Sequence, residues 1–284
     1  MTAASQGVDR NSLGPFRVIS SASRTGNGQR ISRKRPMYRL AIGPLLLLVL
    51  WCIASATGVL SPRVLSAPWT VVATGVQLIE DGRLPAHLAT SARRVLIGLA
   101  AGTFTGVLLA LISGLSQLGE ALIDGPVQIK RSLPTLALIP LFILWLGIGE
   151  PMKLLTIALA SMVPVYVHTH GGLRSIDARY VELAESLRLG RWEFIRKIAL
   201  PGALPGFMMG LRLALTSAWL SLVVVEQINA TSGVGYMISL ARSYGQTEII
   251  LVGLAVYGVL GLTTDTLVRF VEGKALSWRR TLAG

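Results

Sequence analysis

The sequence predicts an all-α, polytopic membrane protein with six transmembrane helices, and three observations carry that prediction. Of 284 residues, 52% are hydrophobic and only 14% charged, where a soluble domain of this size carries about 25% charged residues. Six apolar stretches, at about 41–59, 95–115, 133–147, 154–167, 207–225 and 249–271, alternate with short charged connections. The 27 basic residues are unevenly spread, with eight in the first 39 positions and most others in the connections. That placement suits the cytoplasmic face of a membrane protein and not a nucleic-acid groove, despite the net charge of +13. A lipid bilayer is therefore the expected surrounding, and nucleic acid is not an expected partner.

Residues 1–36 are rich in Ser, Gly, Asn and Arg, with Asp9 as the single acid. Having little apolar surface to bury, they are expected to form a disordered basic tail that holds the N-terminus inside. Ala41 to Val59 is uncharged and long enough to cross a hydrocarbon core of about 30 Å. Its basic flank and the run Ala54-Ser55-Ala56 imitate a secretory signal, but the spans that follow favour a retained helix. Cys52 is the only cysteine, so no internal disulfide forms.

Ser61 to Thr90 contains Pro62, Pro68 and Pro85 and reads as a polar excursion with a helical middle from Trp69 to Ile79. The second span carries Gly98, Gly102 and Gly106 at four-residue spacing, a ridge that lets another helix approach closely. Glu120 to Arg131 reads as a charged connection. Pro134 and Pro140 interrupt the third span and Pro164 breaks the fourth, at whose end His168 and His170 fall. Lacking acidic or thiol partners in ligand spacing, this pair is read as interfacial and not as a metal site. The fifth span has Arg212 near its start and Glu226 at its end. The sixth, after the polar loop Gln227 to Thr247, carries Asp265 and Arg269 near its exit.

Six spans place both termini on one side. Nineteen Lys and Arg fall on the side of the termini, against Arg63, Arg83, Lys153 and Arg242 on the other. The positive-inside bias makes the termini cytoplasmic, although Arg93 and Arg94 at the outer mouth run against it.

Between spans four and five lies Glu182 to Pro201, ELAESLRLGRWEFIRKIALP, a charged island that faces the cytoplasm. It reads as two short helices with Asp177 as N-cap, a turn permitted by Gly190, and Pro201 closing the second piece. Trp192, Ile195, Ile198 and Ala199 repeat at helical spacing, with Glu193, Arg196 and Lys197 opposite. Docking of a soluble partner and adsorption on lipid headgroups are equal readings at this point.

The spacing of Glu182, Ala184, Ile198, Leu200 and Pro201 resembles the EAA loop of ABC-transporter permeases. Two positions depart from that pattern: Leu183 replaces its first Ala, and Arg188 occupies its glycine position, with Gly190 two residues later. The segments DGRLPAHLATSARRVLIGLAAG, PLFILWLGIGEPMK, LPGALPGFMMGLRLAL and GVGYMISLARSYGQTEII extend the likeness. Together they are similar to the binding-protein-dependent permeases for nitrate, taurine and aliphatic sulfonates, over roughly Leu60 to Trp278.

The resemblance implies a type I importer fold with a permease domain over 37–278, a coupling loop over 177–205 and a cytoplasmic tail at 279–284. It implies two ATPase subunits docked on two such loops, a second permease copy, a periplasmic or lipid-anchored binding protein, and residence in a bacterial inner membrane. ATP and magnesium would belong to the ATPase. No G-x-x-x-x-G-K-[ST] loop occurs here, and Gly273-Lys274 lacks its first glycine and its hydroxyl residue. The coupling set implied is Glu182, Ala184, Arg188, Gly190, Ile198, Leu200 and Pro201. Arg212, Glu226 and Asp265 are candidates for translocation or gating, since ionisable groups in spans are expensive; for Arg212, snorkelling to the cytoplasmic boundary or pairing with Asp265 stands beside that role. The solute implied is small and anionic or zwitterionic, with bicarbonate or a pyrimidine precursor as the alternative. From another class, a channel or secondary transporter would work without ATP, and a plain membrane anchor would leave the span prolines unexplained.

Overall fold

A computed structural model describes residues 38–61 and 64–277. The expected basic tail at 1–36 and the tail at 279–284 lie outside the described residues. The chain divides into two units at Leu46, within α1 (Tyr38–Ala56). The second unit holds all that follows.

The described residues of that unit are helical or in connections between helices. Among the described residues four helices are long and apolar enough to cross a membrane, or five if one bent pair makes a single crossing. The apolar part of α1, Ile42–Ala56, is shorter, so the expected count of six is not reached by length and hydropathy.

Several boundaries move from those expected. α2 spans Pro68–Glu80, with proline in its first turn, where a missing N–H costs nothing. α3 spans Arg83–Leu115 and begins twelve residues before the expected Val95, so most of the polar excursion is helical. Glu120 to Arg131 is not a plain connection: it lies in α4, Gln117–Ser132, capped by the Ser116 hydroxyl, which accepts from Gly119 N–H at 3.2 Å. Pro134 ends α4, because a residue before proline is driven out of the helical region; Leu133 is extended (φ −93°, ψ 124°). A 3-10 turn, Thr135–Leu138, then leads into α5, Ile139–Leu146, bent by 92° from α4.

α6, Glu150–Arg174, runs through Pro164 without a break. His168 and His170 therefore lie inside a helix and not at its end. α7 is Ala178–Ser186 and α8 is Arg191–Phe194. A π-helical turn, Ile195–Ala199, joins α8 to α9, Leu200–Asn229. The expected loop after span five contains α10, Val234–Ser243, and α11 runs from Thr247 to Ala275.

The centre is α3, α6 and α9. The glycine ridge of α3 lies on α6: a Cβ at Gly98 would stand 2.6 Å from Ile157 Cγ2, at Gly102 2.3 Å from the Ala158 carbonyl, and at Gly106 2.7 Å from the Met162 carbonyl. The partner numbers rise together, so α3 and α6 run parallel. α9 returns antiparallel to α6, with Gly206 against the His168 carbonyl and Gly210 against that of Pro164. Backbones approach this closely only where side chains are absent. Val95, Ile157, Ala218 and Leu222 fill the middle of the three. At one end α2, α10 and α11 share a core around Leu78, Val234, Ile238 and Val252. At the other end are α7 and α8. The 25 residues of α6, at 1.5 Å rise, separate its two ends by about 37 Å. Outward-facing Leu96, Phe104, Leu108, Leu254, Leu262 and Phe270 are exposed, as suits helices whose solvent is lipid.

Candidate functional site: a coupling segment and a buried ion network

The segment after α6 folds as a helical hairpin. The Asp177 carboxylate accepts from Arg179 N–H at 3.0 Å and caps α7. Its C-terminus closes through two backbone bonds, Arg188 N–H to the Glu185 carbonyl at 2.9 Å and Leu189 N–H to the Ala184 carbonyl at 3.0 Å. That is a Schellman closure, which needs the first of its two donor residues in the left-handed conformation. Arg188 is that residue, with φ 51°, and among the described residues it is the one non-glycine with positive φ. The turn is therefore at Arg188 and not, as expected, at Gly190, which is extended (φ −65°, ψ 155°).

Pro201 does not close the second piece either. It stands in the first turn of α9, and the Leu200 N–H reaches back to the Ile195 carbonyl, five residues away. A wide turn of this kind makes room upstream of a proline ring that would collide with a regular helix. The coupling segment is thus continuous with a span. Phe194, Ile176 and Leu173 pack with buried Ala199 and Ala203 and fix it to the ends of α6 and α9. Ala184 is buried, Ile198 half-buried and Glu182 exposed. Trp192, expected on the apolar side, is 71% exposed, and with Tyr180, Leu183 and Leu187 it leaves a row of large apolar side chains in the open. Phe194 takes the inward place instead.

At the far end of the same helices, Arg94 and Glu226 meet. Arg94 Nη1 donates to Glu226 Oε1 at 2.7 Å and to the Ser232 carbonyl at 2.6 Å. Its Nε and Nη2 grip Glu150 at 2.9 and 2.5 Å, and Nη2 also reaches Ser232 Oγ at 3.2 Å. Lys153 Nζ adds a bond to Glu150 Oε1 at 3.1 Å. Glu226 also accepts from Ser91 Oγ at 2.9 and 2.8 Å, from Gly235 N–H at 2.9 Å and from the Tyr257 hydroxyl at 3.2 Å. Ser91, Arg94, Lys153 and Glu226 are buried, while Glu150 is exposed. Buried charges survive only when paired and hydrogen-bonded, and here every helix around the site supplies a partner. Gly233 is held at φ 111°, and a Cβ there would fall 2.3 Å from Glu226 Oε1. Its N–H donates to His87 Nδ1 at 3.1 Å.

Of the sequence candidates, this network gathers Glu226 alone. Arg212 and Asp265 lie elsewhere on α9 and α11, where Arg212 pairs with both Asp265 and Glu272, and Arg269 with Asp265 at 2.7 Å. A cavity of about 430 Å³ between Arg212, Thr216, Trp219, Tyr257 and Thr264 adjoins them. Ser91, Arg94, Glu150 and Ser232 escaped the sequence reading. Their signal was present: Arg94 breaks the positive-inside bias, and Glu226 and Glu150 are acids in search of a cation. Toward the coupling segment, His170 stacks on Tyr166 at 5.5 Å, whose hydroxyl donates to Asp124 at 2.5 Å and accepts from the Ser113 hydroxyl at 3.0 Å. A cavity of about 850 Å³ beside α7 is lined by His168, Gly172, Tyr180, Lys197, Pro201 and Gly206.

Comparison with known proteins is consistent with this geometry. "Putative aliphatic sulfonates transport permease protein SsuC" of Bacillus subtilis is 40% identical over 241 residues, covering 85% of this chain and 87% of that protein. The Escherichia coli protein of the same description is 43% identical, covering 83% and 89%. The "Taurine transport system permease protein TauC" of Escherichia coli is 32% identical, covering 89% and 95%. Among solved structures, one described as "Crystal structure of an amino acid ABC transporter with histidines" superposes with TM-score 0.57 at 17% identity, over 70% of this chain and 97% of that one. The fold is thus that of type I ABC importer permeases. The sequence profile described as "Binding-protein-dependent transport system inner membrane component" matches residues 102–276, and the chain belongs to that family.

Proposed function

We propose that this chain is the membrane-crossing subunit of an ATP-driven importer that admits aliphatic sulfonates delivered by a separate binding protein. The observation that carries the reading is the continuity of the coupling segment with α9. A push on α8 is transmitted through the π-helical turn directly into a span, Leu200–Asn229, that carries Glu226 near its far end, about 39 Å from Leu200 at 1.5 Å per residue. Two copies of the chain, each with its own ATPase on α7 and α8, form the working unit. ATP and magnesium are bound and consumed by those ATPases. Both termini and the coupling segment are cytoplasmic, the end with α2 and α10 faces outward, and 177–205 is the coupling loop. Within it Glu182 and the exposed apolar row meet the ATPase, while Ala184, Ile198, Leu200 and Pro201 set the hairpin on the bundle.

In mechanism, closure of the ATPase dimer moves α7 and α8 together, and α9 carries the movement to the outer end. There, Glu226 holds α3 through Ser91 and Arg94, and holds α10 through Gly235. This contact is closed in the present state and has to rearrange when the outer mouth opens. Binding of substrate and ATP drives the switch through their different affinities for the two states.

The test is uptake of labelled ethanesulfonate into vesicles holding the permease with the ATPase and binding protein encoded beside it. Uptake that requires ATP and the binding protein supports the reading. Uptake without ATP would move the chain to the channel or secondary-transporter class.

A further inference from the structure

One carboxylate in the outer network stands apart from the rest. Glu226 is enclosed and takes up its acceptor capacity with four donors, Ser91, Arg94, Gly235 and Tyr257. Glu150 is different. It sits at the first position of α6, its side chain is 54% exposed, and it bridges two cations that are themselves buried, Arg94 and Lys153, both 3% exposed. A cavity of about 350 Å³ opens beside it, lined by Thr90, Arg93, Arg94, Ile97, Leu154 and Ser232 as well as Glu150 itself. The cavity wall therefore has two guanidinium groups and two hydroxyls, and the Lys153 ammonium, off the wall, holds Glu150 from behind. Among the described residues, the carboxylates paired with Arg94 and Lys153 are two, Glu150 and the deeper Glu226. If Glu150 turns outward, which its exposed side allows, three positive groups are left against one negative. A buried arginine offers a planar fork to any anion with two coplanar or tetrahedral oxygens.

We propose that Arg94 and Lys153, with Arg93 at the rim, form an anion-receiving site at the outer end of α3 and α6. It takes the sulfonate head group of the incoming solute, and Glu150 is its tethered occupant in this state. The assignment of sulfonate rests on the proposed function; the anion site itself rests on the geometry. Three tetrahedral sulfonate oxygens replace the two Glu150 oxygens on Arg94 and Lys153, and the hydroxyls of Thr90 and Ser232 stand beside them. Because Arg94 also holds Glu226, displacement of Glu150 alters the contact that joins α3, α9 and α10. Arrival of the anion is thereby linked to the state of the outer mouth, and a solute without the charge cannot make the exchange.

The experiment uses the permease–ATPase complex in lipid nanodiscs, without binding protein, titrated with sodium ethanesulfonate. Removing the competing charge with Glu150→Gln lowers the Kd at least tenfold relative to the native complex. Adding Lys153→Gln to Glu150→Gln abolishes that gain, and choline chloride shows no binding to any variant. A Kd for Glu150→Gln within twofold of native, no binding to either, or an undiminished gain in the double variant would overturn the site. A second variant guards against loss of folding: Glu150→Cys, in a Cys52→Ser background, labelled with the sulfonatoethyl thiosulfonate reagent. The tethered sulfonate restores the native thermal midpoint and blocks ethanesulfonate binding, whereas the trimethylammonium reagent does neither; equal behaviour of the two labels also sinks the proposal. Vesicle uptake separates the two ideas. ATP-driven ethanesulfonate uptake with no gain in Glu150→Gln removes the site and leaves the function. A gain in a complex that imports no sulfonate leaves the anion site and removes the sulfonate assignment.

Discussion

Arg94 and Glu226 lie 132 residues apart and meet at 2.7 Å, both buried. Little solvent can stand in for a lost partner, with Arg94 3% and Glu226 1% exposed. Leaving one partner of such a pair alone costs about 3–5 kcal/mol, while replacing both with apolar groups is often close to neutral. Arg94→Met and Glu226→Met should therefore each reduce the purified yield and thermal midpoint sharply, and the double variant should recover much of the loss. Thermal unfolding of the four proteins in one detergent checks this. Additive losses would show that the two residues are not energetically coupled.

Arg188 gives a prediction of opposite sign. A left-handed conformation costs an L-residue roughly 1–2 kcal/mol, and glycine escapes that cost. Arg188→Gly should stabilise the hairpin by about 1 kcal/mol; if the guanidinium contributes to docking, ATPase affinity falls at the same time. Gly190→Ala should be close to neutral, since its φ is ordinary and no atom lies within 4 Å of the added Cβ. Paired measurements of thermal midpoint and ATPase binding separate the two effects.

The α3–α6 seam makes a third case. A methyl group at Gly102 would press on the Ala158 carbonyl at 2.3 Å, whereas one at Gly125 on α4 meets nothing within 4 Å. Overpacking of this kind costs typically 1–3 kcal/mol, while Gly→Ala in an open helix gains up to about 1 kcal/mol in propensity. Gly102→Ala should lower the thermal midpoint and Gly125→Ala should hold or raise it. Equal effects would mean that the seam can relax.

Much of this is legible in the sequence. The Gly98, Gly102 and Gly106 spacing marks a close helix contact by itself, and the polarity of Glu182 to Pro201 marks a segment that cannot lie in lipid. What was not legible depends on neighbours distant in sequence. Nothing local shows that Pro164 sits in an unbroken α6, because the covering helices decide whether freed carbonyls are tolerated. Pro201 is similar: proline signals a helix end, and a π-helical turn is the less common alternative. Arg188 was a conflict between residue type and position, and the backbone settled it in favour of position. Arg94 looked like an exception to a charge rule until Glu150 and Glu226, 56 and 132 residues away, supplied its partners.

The row Tyr180, Leu183, Leu187 and Trp192 yields the last prediction. Four large apolar side chains exposed on a water-facing hairpin are the kind of anchors that dominate protein interfaces, with tryptophan and tyrosine foremost. Trp192→Ala should weaken ATPase association by more than about tenfold, which corresponds to about 1.4 kcal/mol, while leaving the permease's own thermal midpoint nearly unchanged, because the side chain is 71% exposed. Phe194→Ala should do the reverse in part. Its ring lies against Leu173, Ala199 and Ala203, so truncation loosens the hairpin from the bundle and lowers the midpoint even without ATPase. Glu182→Arg should keep the fold, since the side chain is exposed, and lose transport-coupled hydrolysis. Co-purification of the ATPase, thermal unfolding of the isolated permease and ATP hydrolysis in vesicles give three independent readings. Full ATPase retention by Trp192→Ala and unaltered uptake by Glu182→Arg would together place the docking surface elsewhere and return the hairpin to the lipid-headgroup reading.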